Sequence, residues 1–284
     1  MNRKQKNAEV DQSHRSEDDP YETSQQLYVN SWGDGHAAHF ASQRCYDWMG
    51  SFVKDRKLVL EIGIGTGAGT LALCKNGSRV VSIDHNPRFF PRASELLISS
   101  GIPVVEERRA ILRRDQSDEL HLDYQPVKSR IPEAGVLLLD ADAAYDRKFF
   151  EWICCQKGFD AVVCWNIGSH IAEVRSHDSE QAFRMIVQGA AFAIAHRCLS
   201  PGGVLHIVDR AIAVTETTKR SVRDAFVSNH RRNLIEFTVD QDTQYLTYES
   251  PPPESGIKMT PADSSKTINR DTGFAFVSFL CRRI

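Results

Sequence analysis

A glycine-rich segment with acidic residues around it is the part of the sequence that most directly indicates chemistry. It runs Leu60-Glu61-Ile62-Gly63-Ile64-Gly65-Thr66-Gly67, and the next apolar run ends at Asp84. Glycines at alternate positions between a strand and a helix let a ligand lie against bare backbone, where amide N–H groups act as donors. An acid at the end of the next strand is placed for a ribose diol. The segment therefore predicts a nucleoside-containing cofactor.

Two cofactors fit this pattern, because Gly63-x-Gly65-x-x-Ala68 also satisfies the dinucleotide fingerprint. Glu61 is the residue that distinguishes between these two cofactors. A carboxylate two residues ahead of the first glycine would repel a pyrophosphate, but it would attract the cationic amino acid portion of another cofactor. S-adenosylmethionine has no phosphate and carries an ammonium and a sulfonium. The residues therefore favour S-adenosylmethionine over NAD.

The elements that must position these residues follow from hydrophobic patterning. The glycine segment lies between the apolar strand 58–60 and a helix over 70–74, and the strand 79–83 follows, which is a βαβ pattern. Strands are also predicted at 136–140, 161–165, 204–208, 234–239 and 274–280, with helices at 145–155, 179–198 and 216–229. The pattern predicts an α/β fold: a doubly wound, mostly parallel seven-stranded sheet with an antiparallel C-terminal strand and an N-terminal helical cap.

Composition and net charge limit which kinds of molecule the protein is expected to bind. The 284 residues carry 35 Lys and Arg against 37 Asp and Glu, a formal net charge of −2. This balance disfavours nucleic acid, which needs a cationic excess. The seven cysteines form no C-x-x-C pair, no apolar run approaches the roughly 18 residues of a membrane span, and the N-terminus resembles no signal peptide. We expect a soluble, cytoplasmic protein with no membrane partner.

The chain divides into segments of different composition. Residues 1–19 are polar and predict a disordered tail, and the aromatic-rich residues 20–50 predict a cap or lid. Residues 51–284 form the main domain. Within it, 102–133 is charge-rich and is interpreted as an insertion, and 249–272, which contains three consecutive prolines, is interpreted as a surface loop.

With these motifs in order, the sequence resembles the class I S-adenosylmethionine-dependent methyltransferases over about residues 21–208. VLEIGIGTGAGT resembles the family's first motif, and SIDHNPRFFPRA carries Asp84 at the position of the family's ribose-binding acid. Asp140-Ala141 resembles the position whose acid meets the adenine amino group. FDAVVCWN resembles the fourth strand, and LSPGGVLHIVD the fifth.

The resemblance implies a set of site residues. Because 102–133 is longer than the family's usual connection, Asp142 is an alternative to Asp140 as the adenine ligand. The implied cofactor-binding residues are Glu61, Gly63, Ile64, Gly65, Thr66, Gly67, Asp84, His85, Asp140, Ala141, Trp165 and Asn166. The product of methyl transfer would be S-adenosylhomocysteine.

The acceptor side is less defined. Asn166-Ile167-Gly168-Ser169 lacks the N-P-P-Y-type signature of methyltransferases that act on nucleic-acid bases or glutamine amides, which favours a small-molecule acceptor with an O, N or C nucleophile. His36, His39 and His170 are candidate general bases, and Tyr21, Tyr28, Trp32 and Asp209 are candidate substrate contacts. His36 and His39 lack a third ligand nearby, so no metal is expected.

Three alternatives stay open. A peptide, protein or RNA methyltransferase would use the arginine-rich insertion as its groove. An NAD-dependent oxidoreductase would use the dinucleotide fingerprint. A non-catalytic relative would bind cofactor for regulation or assembly. The sequence is compatible with a homodimer and does not fix the oligomeric state.

Overall fold

We describe a computed structural model over residues 20–114, 120–167, 180–212, 214–249 and 273–284. The predicted tail at 1–19, His170, and all but the first residue of the predicted loop at 249–272 lie outside the described residues.

The glycine segment connects the first strand to a helix, as the sequence predicted. Strand β1 spans Leu58–Ile62, helix α4 Ala68–Lys75 and strand β2 Arg79–Asp84. All five residues of β1 are buried, because it pairs in parallel with β2 on one side and with β7 (Phe159–Trp165) on the other. A strand covered on both faces reads as a continuous apolar run, which is why these strands could be found from sequence.

The central sheet has the order β10-β11-β8-β7-β1-β2-β6-β3, with β9 also paired to β11. Here β3 is Val104–Glu107, β6 Val136–Asp140, β8 Leu199–Ile212, β9 Phe237–Val239, β10 Gln244–Tyr248 and β11 Phe274–Arg283. Strand β11 is antiparallel to its neighbours, and the other ladders among these strands are parallel. This confirms the doubly wound α/β fold with an antiparallel C-terminal strand.

The predicted number of seven strands was too low for this sheet, which has nine in the described residues. The two missed strands are β3 and β10. Strand β10 was missed because its five residues, QYLTY, show neither a regular alternation of polar and apolar residues nor a continuous apolar run. The interval 102–133, interpreted as an irregular insertion, contains β3 at the sheet edge and a separate antiparallel hairpin formed by β4 (Ala110–Arg114) and β5 (Leu120–Tyr124).

Helices cover both faces of the sheet. One core contains side chains from α6 (Arg147–Cys155), α7 (Glu180–Cys198) and α8 (Lys219–Asn229). The opposite core contains side chains from α4, α5 (Phe90–Ser99) and the N-terminal segment. Among the described residues, no helix combines the length and the apolar character that crossing a membrane requires.

The N-terminal cap is helical, as predicted. It consists of α1 (Pro20–Ser31), a π-helical stretch Trp32–Ala37, α2 (Ala38–Ser42) and α3 (Cys45–Ser51). Phe40 anchors it: its side chain is fully buried and its ring lies 5.1 Å from the ring of Tyr248 and 4.9 Å from that of Phe276, in edge contacts. The cap is therefore joined to strands β10 and β11 by aromatic packing.

Candidate cofactor site

A pocket of about 880 Å³, including its open mouth, lies at the carboxyl ends of β1, β2, β6 and β7. Ligands of open α/β sheets bind at this edge, where the strand order reverses. Twelve of the residues predicted from sequence line it: Tyr28, Trp32, Glu61, Gly63, Ile64, Gly65, Thr66, Asp84, His85, Ala141, Trp165 and Asn166.

The glycine loop needs glycine for two different reasons. Gly63 has φ of +92°, and a Cβ there would lie 2.8 Å from Cδ1 of Ile167, inside the pocket wall. Gly67 has φ of +83°, and a Cβ there would lie 2.9 Å from Cα of Ala93 on α5. Side chains are disfavoured at both positive φ values. Gly63 therefore keeps the backbone open towards the pocket, whereas Gly67, which does not line the pocket, lets α5 pack closely against the loop.

Asp84 holds the end of β2 against the glycine loop. Its Oδ2 accepts a hydrogen bond from the amide of Gly65 at 3.1 Å, and its Oδ1 accepts one from the amide of Asn86 at 2.9 Å. The side chain lines the pocket, and Nδ1 of the adjacent His85 lies 3.7 Å from Oδ1. A carboxylate has about four acceptor sites, so accepting from two backbone amides is compatible with also accepting from a diol.

Glu61 is a buried acid beneath the loop. Its Oε2 accepts hydrogen bonds from Oγ1 of Thr70, at 2.5 Å, and from Oγ of Ser82. Burial raises the pKa of Glu61 to about 7, although the two hydroxyl donors act in the opposite direction. Near neutral pH the protonated and the ionised form of this carboxyl are therefore both populated. A cation placed beside it would favour the ionised form.

The structure places Asp142, rather than Asp140, in the pocket lining. Asp140 is 2% exposed, and its Oδ2 accepts hydrogen bonds from the backbone amides of Arg109 and Ala110 at 3.2 and 2.8 Å. Burial raises the pKa of Asp140, and these two amides oppose the rise. Asp140 therefore fastens the 102–133 segment to the end of β6 instead of facing the pocket.

Arg109 completes this attachment. Its guanidinium is buried and donates from Nη1 to the carbonyl of Asp140 at 3.0 Å and to Oδ2 of Asp146 at 2.8 Å, while Nε donates to the carbonyl of Gln125 at 2.9 Å. Arg109 belongs to the charge-rich interval 102–133, yet it is buried because its partners come from three separate segments.

Asn166 lines the pocket at the end of β7. It follows β7 with φ of +49°, a left-handed conformation that asparagine tolerates. It is 4% exposed, and neither its Oδ1 nor its Nδ2 has a hydrogen-bond partner among the described residues. A buried amide without partners costs about 1–3 kcal/mol per lost hydrogen bond. Since Asn166 is among the lining residues, its amide is a candidate contact for a ligand of this pocket.

Trp165 is hydrogen-bonded to a buried histidine that the sequence analysis did not single out. Its Nε1 donates to Nδ1 of His206 at 3.0 Å, so the proton of this imidazole is on Nε2, 2.9 Å from Oγ of Ser278. Burial lowers the pKa of His206 to about 3, which keeps the ring neutral. This chain fixes the indole beside the start of α4.

Residues of the N-terminal cap cover one side of the pocket. Tyr28 and Trp32 line it, and a Cβ on Gly65 would lie 3.3 Å from Nε1 of Trp32. The Trp32 ring stacks on His36 with centroids 5.2 Å apart and on Tyr28 at 6.4 Å. The indole therefore lies directly against the glycine loop.

Other predicted residues lie elsewhere. His36 is buried behind Trp32, and Nε2 of His39 lies 2.7 Å from the carbonyl of Glu249; neither lines the pocket. Asp209 lies in a second cavity, and Tyr21 lies in α1. Lining residues that the sequence analysis did not propose are chiefly apolar: Tyr46, Phe89, Ala143, Ile167, Phe183 and Val187. The spacing of Phe183 and Val187, one helical turn apart, was the available signal for this wall.

The part of the chain that the structure describes contains no group of three or more His, Cys, Asp or Glu side chains arranged to hold a metal.

Comparisons with known proteins identify no family by sequence: no family model and no curated protein matches the chain. Solved structures do match. A SAM-dependent methyltransferase from Agrobacterium tumefaciens is 13% identical, over 84% of this chain and 60% of that chain, with a TM-score of 0.44. The mitomycin 7-O-methyltransferase MmcR is 14% identical, over 92% and 58%, with a TM-score of 0.46.

A structure described for the conversion of a disulfide bond into a thioacetal group in echinomycin biosynthesis is 14% identical, over 84% of this chain and 81% of that chain, with a TM-score of 0.42. At these scores the matches carry no argument about function. The strand order, the antiparallel β11 and the glycine loop after β1 define a doubly wound α/β fold.

Proposed function

We propose that the protein binds S-adenosylmethionine in this pocket and transfers its methyl group to a small-molecule acceptor. One arrangement carries the proposal: Glu61, the glycine loop, Asp84 and Asn166 all line a single pocket at the carboxyl ends of the strands. The donor set fits the cofactor, because it offers a diol acceptor, bare backbone and a buried acid suited to a cation.

Each group has a distinct role in the proposal. Asp84 accepts the ribose hydroxyls, the loop 63–65 faces the amino acid portion, and Glu61 compensates its ammonium. Asp142 and Ala141 are placed for the adenine. S-adenosylmethionine, when bound, supplies an electrophilic methyl on a sulfonium.

The protein's contribution to such a transfer is alignment and exclusion of water. Trp32 and Tyr28 close the pocket from the cap side, and Phe183 and Val187 form an apolar wall opposite. Asn166 offers one acceptor and two donors to the acceptor molecule or to the cofactor. The predicted bases His36 and His39 do not line the pocket, whereas His85 does, and His170 lies outside the described residues. The proposal therefore keeps O, N and C nucleophiles open.

NAD remains the competing ligand. A pyrophosphate at the loop would require Glu61 to stay protonated, whereas a cation can pair with the ionised form that is also populated near neutral pH. This charge argument favours the sulfonium cofactor.

The test uses S-adenosylmethionine with a radiolabelled methyl group, incubated with cell extract divided into low-mass, protein and RNA fractions. We expect enzyme-dependent label in the low-mass fraction, lost in the Asp84→Asn variant. Label only in the protein or RNA fraction would support a macromolecular acceptor. Binding of S-adenosylhomocysteine with no labelled product in any fraction would support a non-catalytic role.

A further inference from the structure

Helix α7 forms one wall of the cofactor pocket, and the residues next to that wall in sequence are bonded to the sheet. Phe183 and Val187, four positions apart, line the pocket. Arg184 and Gln188 follow them directly, and at 3.6 residues per turn each lies about 100° further round the helix. The side chains that form the wall and the side chains that hold the helix therefore lie on adjoining faces of the same stretch of α7.

Both holding residues bind the same carboxylate, that of Asp209 on β8. Nη1 of Arg184 donates to its Oδ1 at 2.9 Å, and Nε2 of Gln188 donates to its Oδ2 at 3.1 Å. The side chain of Arg184 is 5% exposed, and Gln188 is buried. The backbone amide of Arg210 also donates to Oδ1, at 2.8 Å, which fixes the direction of the carboxylate. Each oxygen of Asp209 thus holds a different position of α7.

The pairing of β8 places Asp209 under this part of the helix. Strand β8 is parallel to β7, and Val208 lies opposite the pocket residue Trp165. Successive side chains of a strand lie on opposite faces of the sheet, so Asp209 is on the same face as Ile207, which packs in the core that contains α7. The carboxylate therefore meets α7 one residue beyond the strand position that lies beside Trp165.

The two halves of α7 are held in different ways. The carboxyl-terminal half is packed in the core through buried apolar side chains, those of Ala191, Phe192, Ile194 and Ala195. The amino-terminal half is bonded to Asp209 at two positions one turn apart. One attachment would let this half rotate about the contact, whereas two attachments oppose both rotation and sliding.

We propose that Asp209 is a positioning residue for the cofactor pocket. By holding Arg184 and Gln188, it sets the position of the apolar wall formed by Phe183 and Val187, and it does so without touching the ligand. This differs from the substrate contact expected from sequence, because Asp209 is outside the described lining of the pocket. The inference rests on the proposed function for the identity of the ligand.

A reciprocal exchange of carboxylate and amide tests the contact. Asp209→Asn alone brings the donor of the asparagine against the donor of Gln188, and Gln188→Glu alone opposes two carboxylates. In the double variant the asparagine donates to the glutamate while its oxygen accepts from Arg184, so both hydrogen bonds are restored at unchanged net charge. Nε2 of His230, 3.0 Å from Oε1 of Gln188, can donate to the glutamate as well.

Two measurements on the full-length proteins read the attachment and its consequence separately. Hydrogen exchange of the backbone amides of 183–188 reports on the attachment of α7, and calorimetric titration of S-adenosylhomocysteine reports on the pocket. The control is Asp224→Asn on α8, which removes a carboxylate that is 56% exposed.

We expect both single variants to exchange faster over 183–188. Both should also bind S-adenosylhomocysteine about tenfold more weakly, which is within the range of interaction energies for residues that share a hydrogen-bond network. The double variant should return to near wild type in both measurements, and Asp224→Asn should leave both unchanged.

Unchanged exchange in the single variants, or no recovery in the double variant, would overturn the attachment by Asp209. Faster exchange with unchanged affinity for S-adenosylhomocysteine would overturn the positioning of the pocket wall. If wild type bound no S-adenosylhomocysteine, the proposed function would fail instead, and the exchange data would still support or overturn the attachment of α7 by Asp209.

Discussion

The amide of Gly65 donates a hydrogen bond to Oδ2 of Asp84 at 3.1 Å, so the glycine loop and the acid at the end of β2 are held as one unit. The residues are 19 positions apart in sequence. Parallel pairing of β1 with β2 brings their carboxyl ends to the same edge of the sheet, and the hydrogen bond fixes the carboxylate towards the loop. The proposed ribose and amino acid portions of the cofactor would bind on the two sides of this contact.

The pKa of Glu61 predicts how stability depends on pH. The folded protein holds this proton more tightly than the unfolded chain, so ionisation costs stability as pH rises from 4.5 to about 7. At 1.36 kcal/mol per pKa unit, the cost above neutral pH is about 3 kcal/mol. Glu61→Gln cannot ionise, so it does not incur this cost. As pH rises through this range, we therefore expect the unfolding free energy of wild type to fall by about that amount relative to the unfolding free energy of the variant.

Urea denaturation of both proteins at pH 5 and pH 8 measures this difference. A difference that does not change with pH would show that Glu61 titrates at its ordinary value and is not desolvated in the folded protein.

Replacing Arg109 should cost far more stability than replacing its neighbour. Arg109→Met removes the partner of Asp146 and leaves a buried carboxylate uncompensated, which costs about 3–5 kcal/mol. Arg108 is 47% exposed and pairs with Glu106 at 3.3 Å, so Arg108→Met should cost under about 1 kcal/mol. Chemical denaturation of the two variants compares them, and similar losses would contradict the buried attachment of the 102–133 segment.

Trp32 should affect ligand binding more than stability. Trp32→Ala removes the indole that lies against Gly65, and we expect the affinity for S-adenosylhomocysteine to fall about tenfold, or about 1.4 kcal/mol. Phe40→Ala, in the same cap, removes a fully buried ring and should instead cost about 3–5 kcal/mol of stability.

Calorimetric titration and thermal denaturation of the two variants separate these effects. If Trp32→Ala binds S-adenosylhomocysteine with the affinity of wild type, then the cap does not cover the cofactor.

Local patterns were enough to predict the part of the fold that builds the cofactor pocket. Strands β1, β2, β6 and β7 are buried on both faces, so each reads as a continuous apolar run, and glycine marks the one turn that must stay open. Gly63, Gly65 and Asp84 could therefore be placed from sequence before any long-range contact was known.

What could not be predicted depends on partners far along the chain. Arg109 reads as part of a solvated charged segment, and its burial requires Asp140 and Asp146, which belong to β6 and the start of α6. The same contacts turn Asp140 away from the pocket and leave Asp142 in the lining. That Asn166 has no hydrogen-bond partner within the described residues likewise depends on what surrounds the end of β7 in the folded chain.

Calorimetric titration of S-adenosylhomocysteine and, separately, NAD tests the central claim most directly, using wild type, Asp84→Asn and the control Asp47→Asn, whose carboxylate is half exposed. We predict one S-adenosylhomocysteine bound per chain in wild type and Asp47→Asn, binding weakened by about 1–3 kcal/mol in Asp84→Asn, and no binding of NAD. Binding of NAD without S-adenosylhomocysteine, or equal affinity for S-adenosylhomocysteine in Asp84→Asn and wild type, would contradict the assignment of this pocket.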